Sequence, residues 1–537
     1  MTVTRAVFAL VVLDVVLVAP AALALGGWTA FAFAGDLAIA ATLAVFLPRG
    51  AVWAATATWC GLFAFQCSRL GSILAMGEEG LLFDLGYLLR HTLIFGTDLI
   101  GWMAVPAILG GLAVAVGVGW TVHTLFGLVR TELTGQRRWA IAVIWALAAL
   151  GPLVPVHPLV TWIVPVLVAN LRDSAAVYRE AEALVVEASR PSPGPVAEGV
   201  GPDLQIYVIE SYGSLLFRDP AVSGGFLPHV EALDAALAAR GWASVSALSK
   251  APVSGGRSWI ADASVMLGVP VAHESSYQHL MARIDRLNHL PGWLHDQGWH
   301  TVLCRPKDRA RPGVEIENPL RFDTTVFNAE LGYEGPHYGW GWIPDQYTLG
   351  FLREEVLPKT ASQPTFMFVH LASAHVPWKD PPPVLTDWRG FVNQPPAPAH
   401  AADEDRELDD ELGFTANRFR RGPKGLGPTL RRYMGIGDPT AAYAGMIAYD
   451  VDVIRDHLLA SPTARPVVVV VMGDHQPPGI ARRNDFTVPV HVFASDPALL
   501  VPLDRWGFTP GVALGADTPP TLGHQDLYEA LAAVVQR

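Results

Sequence analysis

Up to about residue 170 the sequence is dominated by Ala, Val, Leu, Ile and Trp and carries few charges, whereas the remainder has the composition of a soluble domain. This division constrains the fold more than any other feature. A helix crossing a bilayer takes about 20 mainly apolar residues, and the stretches 6–25, 29–48, 51–67, 98–120 and 139–156 meet that need. The expectation is therefore a transmembrane domain over 1–170 with five spans and interfacial helices. Trp139–Leu171 is too short for two spans and is interrupted by Pro152, Pro155, Pro158 and Pro165, so the apolar stretch Leu159–Leu171 reads as interfacial and not as a sixth span.

Lys and Arg near span ends tend to stay cytoplasmic. With the N-terminus inside, Arg5, Arg49, Arg130, Arg137 and Arg138 fall on the cytoplasmic side, and Arg69 and Arg90 outside. An odd number of spans then places everything after residue 170 outside the membrane. The first span lacks a signal-peptide cleavage site and runs into a second apolar stretch, so it reads as a retained anchor. The segment after the third span, RLGSILAMGEEGLLFDLGYLLRHTLIFG, mixes apolar and charged residues as a helix lying in the interface does.

Of the three Cys, Cys60 and Cys67 belong to the third span and Cys304 stands alone outside, so no disulfide framework is available. The formal charge of −12 argues against a general nucleic-acid binder.

Residues 171–202 read as the linker leaving the membrane, ending in the Pro- and Gly-rich EASRPSPGPVAEGVGPD, and a domain over 203–537 follows. In it, LQIYVIESYG, TFMFVHLASAH, PVVVVVMGDH and TVPVHVFA are strand-length apolar runs separated by helix-length segments such as Tyr443–Leu459. Strands apolar on both faces with intervening helices indicate an α/β fold, a largely parallel sheet flanked by helices. In such sheets ligands bind beyond the carboxyl ends of the strands, where Glu210, His375, Asp474 and His475 fall. Residues 380–432, with PPP, an acidic run and then a cluster of Arg and Lys, interrupt the pattern and read as a surface insertion.

A carboxylate such as Glu210 closing a buried strand is costly unless paired or metal-bound. Gly255 and Gly256 precede Arg257 and Ser258, and a helix-like segment follows. Ser258 fits either an N-cap or a nucleophile, since a helix N-terminus favours an incoming phosphate or sulfate.

The motifs VIESYGSL (208–215), GGRSWIADASVMLG (255–268), WGWIPDQYTL (340–349), HLASAHVPW (370–378), MGDHQPP (472–478) and VPVHVFA (488–494) occur in this order. On them the chain resembles the alkaline phosphatase superfamily, in particular its membrane-anchored, sulfatase-like branch with lipoteichoic acid synthases and phosphoglycerol transferases. The resemblance implies one divalent ion held by Glu210, Ser258, Asp474 and His475. Oxygen ligands with one imidazole suit Mn²⁺, with Zn²⁺ or Mg²⁺ as alternatives. It further implies Ser258 as nucleophile and His375 as a catalytic residue at the substrate phosphate or leaving group. It places His491 near the metal, as a substrate-binding candidate, and Arg257, Arg305 and Arg321 are three candidates for the Arg that grips phosphate. Trp340 and Trp342 fit either the lining of the site or the core or rim. His370 reads as structural.

The chain departs from lipoteichoic acid synthases and phosphoethanolamine transferases in having Ser where they generally have Thr. CRPKDR resembles the sulfatase signature Cys-x-Pro-x-Arg, but the fifth position is Asp308, and Cys304 reads as a packed strand residue. The expected activity is transfer of phosphoglycerol or a similar headgroup from a membrane phospholipid to an envelope glycan or lipid, on the outer face of the cytoplasmic membrane. The alternative is a phosphodiesterase, phosphatase or sulfatase-type hydrolase.

Overall fold

A computed structural model describes the chain except residues 1, 26–32, 49, 77–78, 88–103, 134, 151–159, 197–200, 310–317, 340–341, 377, 379, 395–438, 462–463 and 482–484. The described residues through Ala176 form one compact unit, and those from Val177 onward a second.

The first unit is helical: Thr2–Leu25, Gly35–Phe46, Ala51–Met76, Ala104–Glu132 and Trp139–Leu150, with a two-residue parallel pairing of β1 (Phe33–Ala34) and β2 (Val160–Thr161). Among the described residues, two helical stretches are long and apolar enough to cross a membrane, Thr4–Leu23 and Ile108–Glu132. This corrects the expectation of five spans. The helix in the second stretch has 12 residues, about 18 Å against the roughly 30 Å of a hydrocarbon core, and the fifth stretch continues past Leu150 into residues outside the described ones. The helix in the third is long enough at 26 residues, but Thr56, Thr58, Gln66, Ser68, Arg69 and Ser72 dilute its apolar character. Asp36, 1% exposed, accepts hydrogen bonds from the amides of Ile163 and Val164 and so satisfies the start of the next helix.

That helix is Ile163–Ala188, so it takes in residues 171–188 of the expected linker. Leu184, Val185 and Ala188 recur at helical spacing and pack with Val253, Ile260 and Val271.

The second unit is built on a nine-stranded mixed sheet. Its strands are β3 (Asp203–Ile209), β4 (Ala243–Lys250), β5 (His300–Arg305), β6 (Thr324–Phe327), β7 (Thr365–Leu371), β8 (Val467–Gly473), β9 (Thr487–Ala494), β10 (Thr509–Pro510) and β11 (Leu522–Gly523). The order is β10-β4-β9-β8-β3-β7-β5-β6, with β11 beside β4. β8, β3, β7, β5 and β6 are mutually parallel, and β9 runs antiparallel between β4 and β8.

The Val run of β8 is explained by its central place. Val467, Val469 and Val471 enter one apolar layer, with helices Pro220–Ala238 and Pro439–Ala460. Val468, Val470 and Met472 enter the other, with helix Asp526–Val535. A strand covered on both faces has no position for a polar side chain until it ends. Helix Pro439–Ala460 offers Tyr443, Met446, Ile447, Val451, Ile454 and Leu458 to the first layer, the spacing of a single apolar stripe. Helix Pro220–Ala238 starts at Asp219, whose side chain accepts from the Ala221 amide, with Pro220 at its first position.

Of the expected surface insertion 380–432, residues 395–432, including all of its basic half, lie outside the described residues. In the part that is described, Trp388 and Phe391 are buried, Trp388 edge-on to Tyr347 and Phe391 edge-on to Tyr338. Two large rings with a core to enter do not remain at the surface.

Candidate metal centre

Strand register brings the site together. Ile209 of β3 pairs with Gly473 of β8 on one side and Leu371 of β7 on the other. The next residues, Glu210 and Asp474, therefore leave adjacent strands at the same level. Ser211 then turns the chain with φ 62° and donates its amide to Asp474 Oδ1 at 2.8 Å. The amide of His475 donates to the same oxygen, also at 2.8 Å. Gly473 permits the close approach: a Cβ there would stand 2.0 Å from the carbonyl oxygen of Tyr212.

Glu210, Asp474 and His475 are all buried, and one ligand atom from each lies within 4.8 Å of the others. His475 Nε2 is 3.3 Å from Glu210 Oε1 and 3.2 Å from Asp474 Oδ2. Its Nδ1 lies 3.0 Å from the Gln476 carbonyl; donation there leaves Nε2 as the acceptor nitrogen, beside the carboxylates and within reach of the Gly256 amide. Asp474 Oδ2 has no hydrogen-bond partner among the described residues although Asp474 is 0% exposed. An orphaned carboxylate oxygen in a buried cluster is what a bound cation would satisfy. Two carboxylates, an imidazole and a nearby hydroxyl fit a divalent ion of hard to borderline character.

That hydroxyl belongs to Ser258, the first residue of helix Ser258–Leu267, with Oγ 3.3 Å from Glu210 Oε2. Gly255, Gly256 and Arg257 all have positive φ, 132°, 75° and 63°, and form the tight approach that the sequence marked with two glycines. The Gly256 amide donates to His475 Nε2 at 2.8 Å, tying this loop to the β8 end.

Electrostatics hold the cluster ionised. Burial pushes the Glu210 carboxyl up, but the Lys307 ammonium and His370, His375 and His475 outweigh it and keep it well below the usual range. Asp474 is likewise lowered: burial and Glu210 push it up, and His475 and His370 pull it down further. His475 moves upward, since Asp474 and Glu210 overcome burial. His375 is pushed down to about 4, by burial first and by Lys307 and His475, against the pull of Glu210. Its Nδ1 lies 2.6 Å from the Val376 carbonyl. The turn leading to it is clamped by Asp345, which accepts from the amides of Ala372 and Ser373 at 3.0 and 2.8 Å.

The structure separates the remaining candidates. Arg257 adjoins Ser258 and is 7% exposed. Arg305 is engaged by Asp262 at 2.8 Å. The Arg321 side chain is 71% exposed and pairs with Asp285, so it is not part of the buried cluster. His491 is also removed from it: its Nε2 lies 3.0 Å from the Tyr212 hydroxyl and its Nδ1 2.7 Å from Ser246 Oγ. It points from β9 into the aromatic layer of Tyr212 and Phe217, because the residue that pairs with Val471 is well inside the sheet. Trp340 lies outside the described residues; Trp342 stacks on His337 and carries the Arg309 guanidinium over its ring. Cys304 is buried in β5 with its thiol pushed well up by burial and by Asp345 and Asp308.

Three residues here escaped the sequence reading. Lys307 Nζ lies 2.6 Å from Glu210 Oε2, a contact that no local pattern around Lys307 marks. Asp262 follows Ser258 by one helical turn and so shares its face. His370 is no mere packing residue, since Nε2 lies 3.6 Å from both Glu210 Oε2 and Asp474 Oδ2.

Fold and site together define a mixed α/β domain with a buried carboxylate–imidazole cluster at the carboxyl edge of its central strands. No protein-family model matches the chain, and no curated protein matches it. Among solved structures it is similar to the integral membrane lipooligosaccharide phosphoethanolamine transferase A (EptA) of Neisseria meningitidis, at 12% identity, covering 94% of this chain and 92% of that one, TM-score 0.42. It is similar to the phosphoglycerol transferase GacH of Streptococcus pyogenes, at 12% identity over 67% of this chain and 91% of that one, TM-score 0.36. A protein in the alkaline phosphatase superfamily from Vibrio parahaemolyticus is also similar, at 15% identity over 67% and 75%, TM-score 0.36.

Proposed function

We propose that the chain is a metal-dependent phosphotransferase that moves phosphoglycerol or a similar phospho-headgroup from a membrane phospholipid to an envelope glycan or lipid. In this reading residues 203–537 are the catalytic domain, held on the outer face of the cytoplasmic membrane by the helical part before it. The observation that carries it is Ser258: a buried hydroxyl at a helix N-terminus, 3.3 Å from one carboxylate of the Glu210–Asp474–His475 cluster.

Ser258 Oγ attacks the donor phosphorus. Its bond to phosphorus forms as the bond from phosphorus to the diacylglycerol oxygen breaks, and that oxygen leaves as the alcohol with the proton the Ser258 hydroxyl gives up. The acceptor hydroxyl then attacks phospho-Ser258, regenerating the serine. His375, beside the cluster and neutral at pH 7, is the group assigned to take the acceptor's proton. Glu210, Asp474 and His475 would hold the cation, Mn²⁺ in the first instance. What a bound divalent cation supplies here is a lowered pKa for the Ser258 hydroxyl and charge neutralisation at a phosphoryl oxygen. A membrane anchor supports a lipid donor, because it raises the donor's effective concentration.

The test is incubation of the full chain with headgroup-labelled phosphatidylglycerol, Mn²⁺ and an added glycan acceptor. The expected result is diacylglycerol release with label on the acceptor, absent in Ser258→Ala. Label appearing only as free glycerophosphate overturns transfer in favour of hydrolysis, and no lipid consumption overturns the reading.

A further inference from the structure

Behind the cluster lies a chain of three buried groups that the proposed reaction does not use. Arg305 Nη2 is 2.8 Å from Asp262 Oδ2, and the same oxygen is 3.2 Å from His370 Nδ1. Asp262 and His370 are 4% and 1% exposed. A carboxylate on Nδ1 fixes both the rotamer and the tautomer of an imidazole, since Nδ1 must carry the proton it donates. In the neutral ring the Nε2 lone pair is thereby aimed along the opposite side. Burial and Lys307 push the His370 pKa down, but the carboxylates around it outweigh them and hold it well up, so a cation bound there displaces the Nε2 proton.

There it meets Glu210 Oε2 and Asp474 Oδ2, each at 3.6 Å. That distance is too long for a hydrogen bond, and neither His370 Nε2 nor Asp474 Oδ2 has a hydrogen-bond partner among the described residues. Two orphaned acceptors facing one another in a buried site call for a shared third body between them. Two donors bound to one ion at about 2.1 Å each lie about 3 to 4 Å apart, so the spacing suits a common ion. Asp262 needs no second counter-charge, because Arg305 already supplies one. At His475, too, Nδ1 lies 3.0 Å from a carbonyl and Nε2 faces the same carboxylates, although there Nε2 also accepts the Gly256 amide.

We propose that His370 is a further protein ligand of the cation, through Nε2, and that Asp262 and Arg305 are its positioning residues. The centre is then built from two carboxylates and two imidazoles, with Ser258 beside them. A second nitrogen ligand shifts the site toward softer divalent ions, so the affinity for Zn²⁺ or Co²⁺ gains relative to Mg²⁺. The inference rests on the reading of Glu210, Asp474 and His475 as a cation site.

The experiment is pulsed electron paramagnetic resonance on the full chain loaded with Mn²⁺, with and without ¹⁵N-histidine labelling, together with a Mn²⁺ binding isotherm. Two directly bound imidazole nitrogens are expected in the unmodified protein and one in His370→Ala. Asp262→Asn is expected to retain two while weakening Mn²⁺ binding about 10- to 100-fold. A single imidazole nitrogen in the unmodified protein overturns the proposal without reference to any variant's folding. Failure of the unmodified protein to bind Mn²⁺, Zn²⁺ or Co²⁺ at all overturns the cation site itself, and with it both this proposal and the reaction above.

Discussion

Lys307 Nζ lies 2.6 Å from Glu210 Oε2, and the two side chains are 13% and 3% exposed. A buried ammonium thus sits on a carboxylate that the cation site also needs. Removing one partner of such a pair leaves the other charge uncompensated, at a cost of about 3–5 kcal/mol. Lys307→Met is therefore expected to lower the Tm of metal-stripped protein. Because the ammonium no longer competes for Glu210, the rise in Tm on adding Mn²⁺ becomes larger than in the unmodified protein. Thermal unfolding with and without Mn²⁺ checks this; equal metal-induced shifts would show that Lys307 and the cation do not share Glu210.

Arg257 occupies the left-handed region, φ 63°, immediately before the nucleophile candidate. A non-glycine residue there costs about 1 kcal/mol, a strain that suits a side chain in use. Arg257→Gly keeps the backbone path, so the Tm should hold or rise. If the guanidinium grips the substrate phosphate, turnover falls about 100-fold, the usual loss for one donor aimed at developing charge. Activity within twofold of the unmodified protein would place the phosphate grip elsewhere.

Gly473 is the last residue of β8, and its Cα faces the Tyr212 carbonyl oxygen, 2.0 Å from where a Cβ would stand. Backbone cannot move aside as a side chain can. Gly473→Ala should force apart the ends of β3 and β8, costing about 3 kcal/mol and weakening Mn²⁺ binding, since Glu210 and Asp474 ride on those ends. Urea unfolding and metal titration measure the two effects. A stable variant with unchanged metal affinity would show that the strand ends are not what sets the cluster's geometry.

The parts of this molecule legible in its sequence are those fixed by local pattern. Continuous apolar runs announced β3, β7, β8 and β9, and Glu210, Asp474 and His475 stood out because they end such runs. Residues joined only by the sheet order were not legible. Lys307 reaches Glu210 because β7 separates β5 from β3 by a single strand, and nothing near Lys307 in the chain encodes that. His370 was read as structural because it lies inside a strand; its register opposite Val208, one residue short of the site edge, is what turns it toward the carboxylates. Counting apolar residues does not locate helix ends, so the second stretch, whose helix stops after 12 residues, reads as a span by composition alone. His491 was misplaced for a related reason: its motif puts it in the right strand but not at that strand's end.

His289 gives a pH dependence with a definite sign. It precedes helix Leu290–Asp296, and its Nδ1 accepts the Gly292 amide at 3.0 Å, which only the neutral ring can do. Burial first, and then Arg321, push its pKa down to about 4, against Asp296. The folded value lies below the unfolded value of about 6.5, so the contribution is complete above pH 6.5 and is lost as pH falls toward 4. Discounted for partial exposure, it amounts to about 2 kcal/mol. His457, His491 and His524, pushed down by burial to about 3, 3 and 4, lose stability over the same acid range, so the unmodified protein should weaken steadily on acidification. Asn is a favoured N-cap that does not titrate, which makes His289→Asn the clean variant. Its stability should match the unmodified protein at pH 7 and exceed it by about 2 kcal/mol near pH 4. Parallel stability curves for the two proteins from pH 7 to pH 4 would show that His289 does not stay neutral in the folded state.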